Sequence, residues 1–339
     1  MTGILVDQNS FGNGQHDVDQ WFGAYAAPMA RAERLDLDVG GLGPDGVEWI
    51  AADLIVPDGV SAAPLMVCFP GGGMTRRYFD LPEEQPGEWS MARYLADHFG
   101  IAVAVVDHPG VGDSSVPDDP YTLNPRVVAD VDHGALSELV AHAMDLFEPT
   151  RLIGLGHSMG GLVVAHAQWH HRSFDAVAFL GFGGAGLPEY LTKDELSYAD
   201  NYDRLEPVLA ELVRERFGTA LVPGSTISSD MLNPGTLSEA RQILATASGP
   251  LLALCGLASM IPGSSNAALA SIEVPVFIGL GENDIAGDID NVAALLTSTG
   301  DVTTYVLAEA GHNHSISKNR TDLWNALGNW IAALTEQDN

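Results

Sequence analysis

The run Arg151-Leu152-Ile153-Gly154-Leu155-Gly156-His157-Ser158-Met159-Gly160-Gly161-Leu162-Val163-Val164-Ala165 limits what this chain can fold into more than any other stretch of its 339 residues. Its first part is an apolar, strand-like segment and its last part an apolar, helical one. Only a short turn separates them, and glycines flank the serine on both sides. A turn that tight forces Ser158 into an uncommon backbone conformation, and the glycines leave room for the chain to double back. The reading is strand, sharp elbow, helix, with the Ser158 hydroxyl lifted clear of the sheet edge at a helix N-terminus. Unpaired backbone N–H groups and the helix dipole favour negative charge at that point.

The same alternation of strand-length apolar runs and helix-length segments extends over most of the chain, which predicts an α/β fold with a mostly parallel sheet and crossover helices. Strands are expected near 33–40 and 47–56 as an opening antiparallel pair, then at 63–69, 101–107, 151–156, 175–181, 274–281 and 302–308. The later runs are apolar or β-branched, as expected of strands covered on both faces. Met91, Tyr94, Leu95 and Phe99 share one helical face that Gly100 ends, and Leu323, Leu327, Trp330, Ile331 and Leu334 repeat with the same spacing. Between about 187 and 270 the alternation stops. Helical segments and turn clusters at 222–225, 233–235 and 261–265 occur there without a convincing strand. That stretch reads as a helical cap or lid inserted between two parts of one core domain, 1–186 and 271–339.

The length suits such a core with an insertion, because single cores stop growing near about 250 to 300 residues. Charge narrows the partners: 45 Asp and Glu against 15 Lys and Arg give a net charge of −30. A field of that sign repels phosphate backbones and anionic lipid surfaces, so nucleic-acid and membrane-surface roles are excluded from the reading. The acids are scattered, which suits solubility. Cys68 and Cys255 are isolated in apolar contexts and read as core residues, neither a disulfide framework nor a zinc set. Residues 1–7 show no basic region leading into an apolar stretch, and no run of about 18 apolar residues occurs. A cytoplasmic protein without membrane insertion is expected, although a chain whose signal peptide had been removed would read the same. A homo-oligomer stays open.

Several loops then offer chemistry around Ser158. An oxyanion needs backbone donors, and Met159, the residue after the serine, supplies one. The loop Pro70-Gly71-Gly72-Gly73-Met74 after the 63–69 strand offers the other, with Gly72 the first candidate and Gly73 the second. After the 274–281 strand comes Glu282-Asn283-Asp284-Ile285-Ala286-Gly287-Asp288, and after the 302–308 strand Ala310-Gly311-His312-Asn313-His314. Both loops leave the carboxyl ends of their strands, the edge where the elbow lies. Asp284 is the candidate acid, with Glu282 and Asp288 as competitors that a capping or surface role explains. His312 is the candidate base and His314 its alternative. His166 and His170 stand four apart on a helix but lack the glutamate of the metalloprotease pattern and a third ligand, so no metal is expected. The glycines at 71–73 lack the Gly-Lys-Ser or Gly-Lys-Thr of a phosphate cradle.

These motifs resemble those of the α/β-hydrolase superfamily over about 64–312. Asp107-His108-Pro109-Gly110-Val111-Gly112-Asp113-Ser114 is similar to its D-x-x-G-x-G-x-S segment, Gly281-Glu282-Asn283-Asp284 to its acid turn and Gly311-His312 to its histidine turn. One departure is Pro70-Gly71 where many members carry His-Gly. The resemblance implies the α/β-hydrolase fold with a helical cap between the sixth and seventh core strands. It also implies a Ser158–His312–Asp284 triad without a cofactor. The expected reaction is hydrolysis of a neutral, fairly apolar carboxylic ester or lactone, a small-molecule substrate, through an acyl-enzyme. An acyltransferase or a carbon–carbon bond hydrolase using the same residues is the alternative within enzymes, and a non-catalytic ligand-binding protein the alternative outside them.

Overall fold

Strand-forming runs in this chain alternate between two cores, and the alternation places each strand. In the 62–69 run, Leu65, Val67 and Phe69 pack to one side while Met66 and Cys68 pack to the other, and all five are buried. A computed structural model of the protein describes residues 30–82, 88–224 and 238–336. Eight strands form one sheet: β1 (Arg31–Asp38), β2 (Trp49–Val56), β3 (Ala62–Phe69), β4 (Ala102–Val106), β5 (Glu148–His157), β6 (Ala176–Leu180), β7 (Val276–Gly281) and β8 (Val302–Leu307). Their spatial order is β1-β2-β4-β3-β5-β6-β7-β8. β2 runs antiparallel to β1 and β4, and every other neighbouring pair is parallel. The expected strands are therefore all present, with ends shifted by up to three residues.

Helices cover both faces. Helix α1 (Met91–Phe99) starts on the Ser90 side chain, which accepts from Arg93 N at 3.0 Å, and ends at Gly100 with φ 64°. It packs with the C-terminal helix on the face that carries Met66, Cys68, Val103 and Val105. Helices α2 (Pro125–Met144) and α3 (Met159–His171) pack together on the opposite face against Leu65, Val67 and Ala104. Because β3 lies between β4 and β5, the loops after β3 and β5 emerge side by side, the arrangement that opens a crevice at the carboxyl edge of a parallel sheet.

Between β6 and β7 the chain leaves the sheet. It forms helices α4 (Leu209–Phe217), α5 (Ser238–Ala245) and α6 (Ala253–Met260), with shorter turns of helix around them. The described residues of this stretch are helices and turns, except that Leu221–Val222 pairs antiparallel with Leu251–Leu252. Two-residue ladders leave no periodicity to read in a sequence. The expected turn at 233–235 and the residues 1–29 lie outside the described residues. Helix α7 (Arg320–Glu336) is the last described element.

The D-x-x-G-x-G-x-S segment has a structural job here. Asp107, fully buried after β4, accepts from Arg76 N at 2.7 Å and Asp113 N at 3.1 Å and pairs with the Arg76 guanidinium. Ser114 and Ser115 hydroxyls accept from backbone N–H groups of Ala51, Glu48 and Trp49. The loop is thus tied to β2 and to the turn after β3. Cys68 and Cys255 are both buried free thiols, pushed up from their usual pKa by burial.

His166, on α3, is fully buried beside the Tyr202 ring (centroids 5.2 Å apart). Burial first, then His170 and Arg126, push its pKa down to about 3. Unfolded, the ring titrates near 6.5, so the folded state binds less proton between those values. This group's contribution is complete above about pH 6.5 and is lost as pH falls toward 3. His166→Phe should therefore remove close to one proton, about 1.4 kcal/mol per pH unit, from the acid slope of stability. Urea midpoints measured from pH 7 to pH 4 check this, and an unchanged slope would show that His166 does not titrate on unfolding.

Candidate active site

Ser158 sits at φ 53°, ψ −123°, between β5 and α3. A non-glycine residue there stores roughly 1–3 kcal/mol of strain, which its surroundings must hold in place. Ser158 N donates to Leu180 O at 2.8 Å, and Gly161 N donates to Ser158 O at 2.8 Å. The flanking glycines are required by space: a Cβ on Gly156 would lie 2.4 Å from Gly160 O, and one on Gly160 would lie 2.3 Å from Phe69 O. Those are backbone atoms that cannot yield cheaply. The elbow read from the sequence is therefore a real close approach of α3 to β3.

The remaining candidates arrive from the ends of β7 and β8. His312 Nε2 lies 2.9 Å from Ser158 Oγ, and His312 Nδ1 lies 2.7 Å from Asp284 Oδ1. The acid and histidine turns are tied together by Asn283 N donating to Ala310 O at 2.8 Å. Asp284 Oδ1 also accepts from Ala286 N at 3.0 Å and Oδ2 from Gly281 N at 3.3 Å. His314, the alternative base, does not reach Ser158; its Nε2 lies 2.9 Å from Asp284 Oδ2 on the far side of the carboxylate. Burial alone would raise the Asp284 carboxyl, but the His312 and His314 rings outweigh it and hold the group well below the usual carboxylate range. It stays ionised.

Two competitors for the acid lie elsewhere. Glu282 Oε2 accepts from the exposed Glu309 N at 2.7 Å, and Asp288 accepts from Asp290 N as the N-cap of the short helix Ile289–Ala293. Gly71 and Gly72 line a cavity of about 170 Å³ together with Ser158, Met159 and His312. Gly73, the second oxyanion candidate, does not line that cavity, and a Cβ added there would meet nothing within 4 Å. The stretch between β6 and β7 supplies Leu187, Phe217, Leu251, Ser259 and Met260 to the same walls.

Two contributors escape a sequence reading. His157 Nε2 donates to the His312 carbonyl at 3.0 Å, and the ring stacks on Tyr78 (centroids 4.5 Å). Burial, with His312 and His314 next, holds His157 well below its usual pKa, so a neutral ring braces the His312 backbone. Nothing in the motif marks it, because any residue is accepted between the glycine and the serine. His108 is the other, hydrogen-bonded to the Pro70 carbonyl.

A model of the alpha/beta hydrolase family matches residues 66–323, about three quarters of the chain and all of these elements. The chain belongs to the alpha/beta hydrolase family. No curated protein matches it in sequence. Among solved structures, an esterase from Thermogutta terrifontis is similar at 17% identity, with 89% of this chain and 98% of that one covered and a TM-score of 0.55. An esterase from Exiguobacterium antarcticum is similar at 14% identity, with 86% and 99% covered and a TM-score of 0.57. A bromoperoxidase from Bacillus anthracis is similar at 16% identity, with 90% or more of each chain covered and a TM-score of 0.54. At such identities the likeness concerns the fold, and one alpha/beta hydrolase fold hosts different chemistries. Among the described residues, no helix is long and apolar enough to cross a membrane.

Proposed function

We propose that this alpha/beta hydrolase cleaves a neutral, fairly apolar carboxylic ester or lactone through an acyl-enzyme on Ser158. The observation that carries the reading is the unbroken chain Ser158 Oγ–His312 Nε2–His312 Nδ1–Asp284 Oδ1, at 2.9 and 2.7 Å. That two similar folds are esterases agrees with it. Ionised Asp284 keeps the proton of neutral His312 on Nδ1 and leaves Nε2 free to accept. His312 takes the Ser158 proton as Oγ attacks the carbonyl carbon. The oxyanion is held by the N–H groups of Met159 and Gly72, each worth roughly 3 to 4 kcal/mol in such sites. Collapse expels the alcohol, which receives the proton from His312. Water, deprotonated by the same ring, then attacks the acyl carbon; the acyl–Oγ bond breaks, Ser158 Oγ takes the proton back from His312, and the acid is released.

The stretch 187–270 is proposed to act as a cap, since its Leu187, Phe217, Leu251 and Met260 side chains wall the cavity at Ser158. At about 170 Å³ the cavity is below the roughly 300–1,000 Å³ of sites for drug-sized ligands, which favours a short acyl chain. Leu251 is the wall beside the oxyanion loop, its Cδ1 only 2.5 Å from where a Gly72 Cβ would stand. Leu251→Ala should shift the kcat/KM optimum toward longer acyl groups, by about tenfold relative to the shortest ester. A preference that stays where it was would place the acyl chain elsewhere.

The test of the function is hydrolysis of p-nitrophenyl esters of graded acyl length, with fluorophosphonate labelling alongside. Turnover with labelling supports the ester hydrolase. Labelling at Ser158 without turnover of any ester points to a bulkier substrate or a lactone, and absence of both abandons the enzyme for a ligand-binding protein.

A further inference from the structure

Away from Asp284, the protein buries a second histidine–carboxylate pair that the scheme above does not use. His108 follows β4 and Asp132 stands on α2, and each side chain is only 1% exposed. His108 Nδ1 lies 2.6 Å from Asp132 Oδ2, and His108 Nε2 lies 3.1 Å from the Pro70 carbonyl oxygen. A carbonyl can only accept, so Nε2 carries a hydrogen and donates it. The ring is stacked on Phe69, with centroids 5.9 Å and planes 20° apart, and both its nitrogens are engaged.

Asp132 occupies a face of α2 that is otherwise apolar, with Val128, Ala129, Val131, Ala135 and Leu136 buried around it. A carboxylate there costs several kcal/mol unless a partner offsets it, and an apolar side chain of similar volume would pack without that cost. The pair thus stands where stability alone does not call for one. What it touches is the start of the glycine loop. Pro70 offers no N–H, and Gly71, Gly72 and Gly73 have no side chains to fix them, so the loop depends on bonds to its backbone. Met74 N donates to Gly71 O at 3.2 Å, and His108 Nε2 donates to Pro70 O. In a trans peptide the C=O and N–H point in opposite directions. Anchoring the carbonyls of Pro70 and Gly71 therefore fixes the N–H groups of Gly71 and Gly72 on the opposite sides of their peptide planes, and both glycines line the cavity at Ser158.

We infer that His108 and Asp132 are positioning residues for the oxyanion loop. Asp132 sets the His108 ring, the ring pins the Pro70 carbonyl, and the pinned loop holds Gly72 N–H in place over Ser158. The inference rests on the proposed reading of Ser158 as nucleophile and Gly72 as donor.

Three replacements in the full chain separate positioning from bulk packing. A glutamine amide nitrogen reaches about as far as Nε2 and can still donate to Pro70, an asparagine falls one bond short, and a leucine has no donor. With a short p-nitrophenyl ester, His108→Leu and His108→Asn should lower kcat by about 10- to 100-fold while KM stays within about threefold. A trifluoromethyl ketone, which forms a tetrahedral adduct at the serine, should weaken in proportion to kcat. His108→Gln should retain kcat within about fivefold. Equal losses in all three variants, an effect confined to KM, or wild-type kcat in His108→Leu would overturn the inference. Should His108→Leu fail to fold, His108→Asn against His108→Gln carries the same comparison. If none of the three folds, the pair is a folding element and the inference is wrong. A wild-type chain that neither cleaves esters nor takes a fluorophosphonate label sinks the parent reading instead, so the two failures are told apart.

Discussion

Replacing Ser158 by alanine is expected to lower kcat for ester hydrolysis on the order of 10⁵- to 10⁶-fold, the size of effect seen when a serine nucleophile is removed from an intact triad. The remaining rate would come from Met159 and Gly72 N–H groups and from binding, which such a change leaves in place. The fold should be unaffected. Alanine keeps the Cβ, so it keeps the strained φ of 53° that the surrounding bonds already hold, including Ser158 N to Leu180 O at 2.8 Å. Only one hydrogen bond to His312 is lost, at 2.9 Å and in a partly open position. Thermal midpoints within a few degrees, together with lost labelling and lost turnover, make up the expected result. Turnover that survives within tenfold of wild type would mean that another group carries the acyl transfer, and the proposed mechanism would be abandoned.

What could be read from the sequence follows from how local each constraint is. The elbow was legible because its requirement is written in adjacent residues: Gly156 and Gly160 are there since any Cβ would strike backbone at 2.4 and 2.3 Å. The sheet was legible because apolar runs such as Ala102–Val106, buried at every position, have few other uses. His312 was preferred over His314 only because Gly311 precedes it; the two stand two apart in one loop and both end on the Asp284 carboxylate, one per oxygen. Their difference is a matter of which way the loop turns, and that depends on β7, on the elbow and on His157 under the His312 carbonyl. Asp284 was preferred over Glu282 because a surface role explains the latter; the outward side of Glu282 follows from the turn that Asp284 N makes to Gly281 O at 3.0 Å. The His108–Asp132 pair left one trace, a charge on the apolar face of α2, without any hint of its partner. The short ladder of Leu221–Val222 with Leu251–Leu252 left none, because two residues carry no period.

Asp284→Asn tests the part of the site that acts without touching substrate, and its effect should be nearly as large as that of removing the serine: a fall in kcat of about 10⁴-fold. The reason is proton direction. Asp284 is acceptor-only and receives four hydrogen bonds, from His312 Nδ1, His314 Nε2, Gly281 N and Ala286 N. An asparagine of the same shape must present an NH₂ on one side. Gly281 N and Ala286 N flank the two positions, so the amide faces one histidine as a donor whichever way it turns. When it faces His312, Nδ1 must accept, the ring proton moves to Nε2, and the ring then donates to Ser158 instead of taking its proton. The base is lost while the geometry stays. The same exchange alters acid stability in a fixed direction. The folded Asp284 carboxyl titrates well below its unfolded value near 3.9, because the two histidines outweigh the burial that would raise it. The stabilisation is therefore complete above about pH 4 and is lost as pH falls below it. Asp284→Asn removes that loss, so its urea midpoint should depend less on pH below about 4 than the wild type's does. Activity retained within tenfold would show that the His312 tautomer is set by something other than Asp284, and an unchanged acid limb would show that the carboxylate is not held ionised by its two histidines.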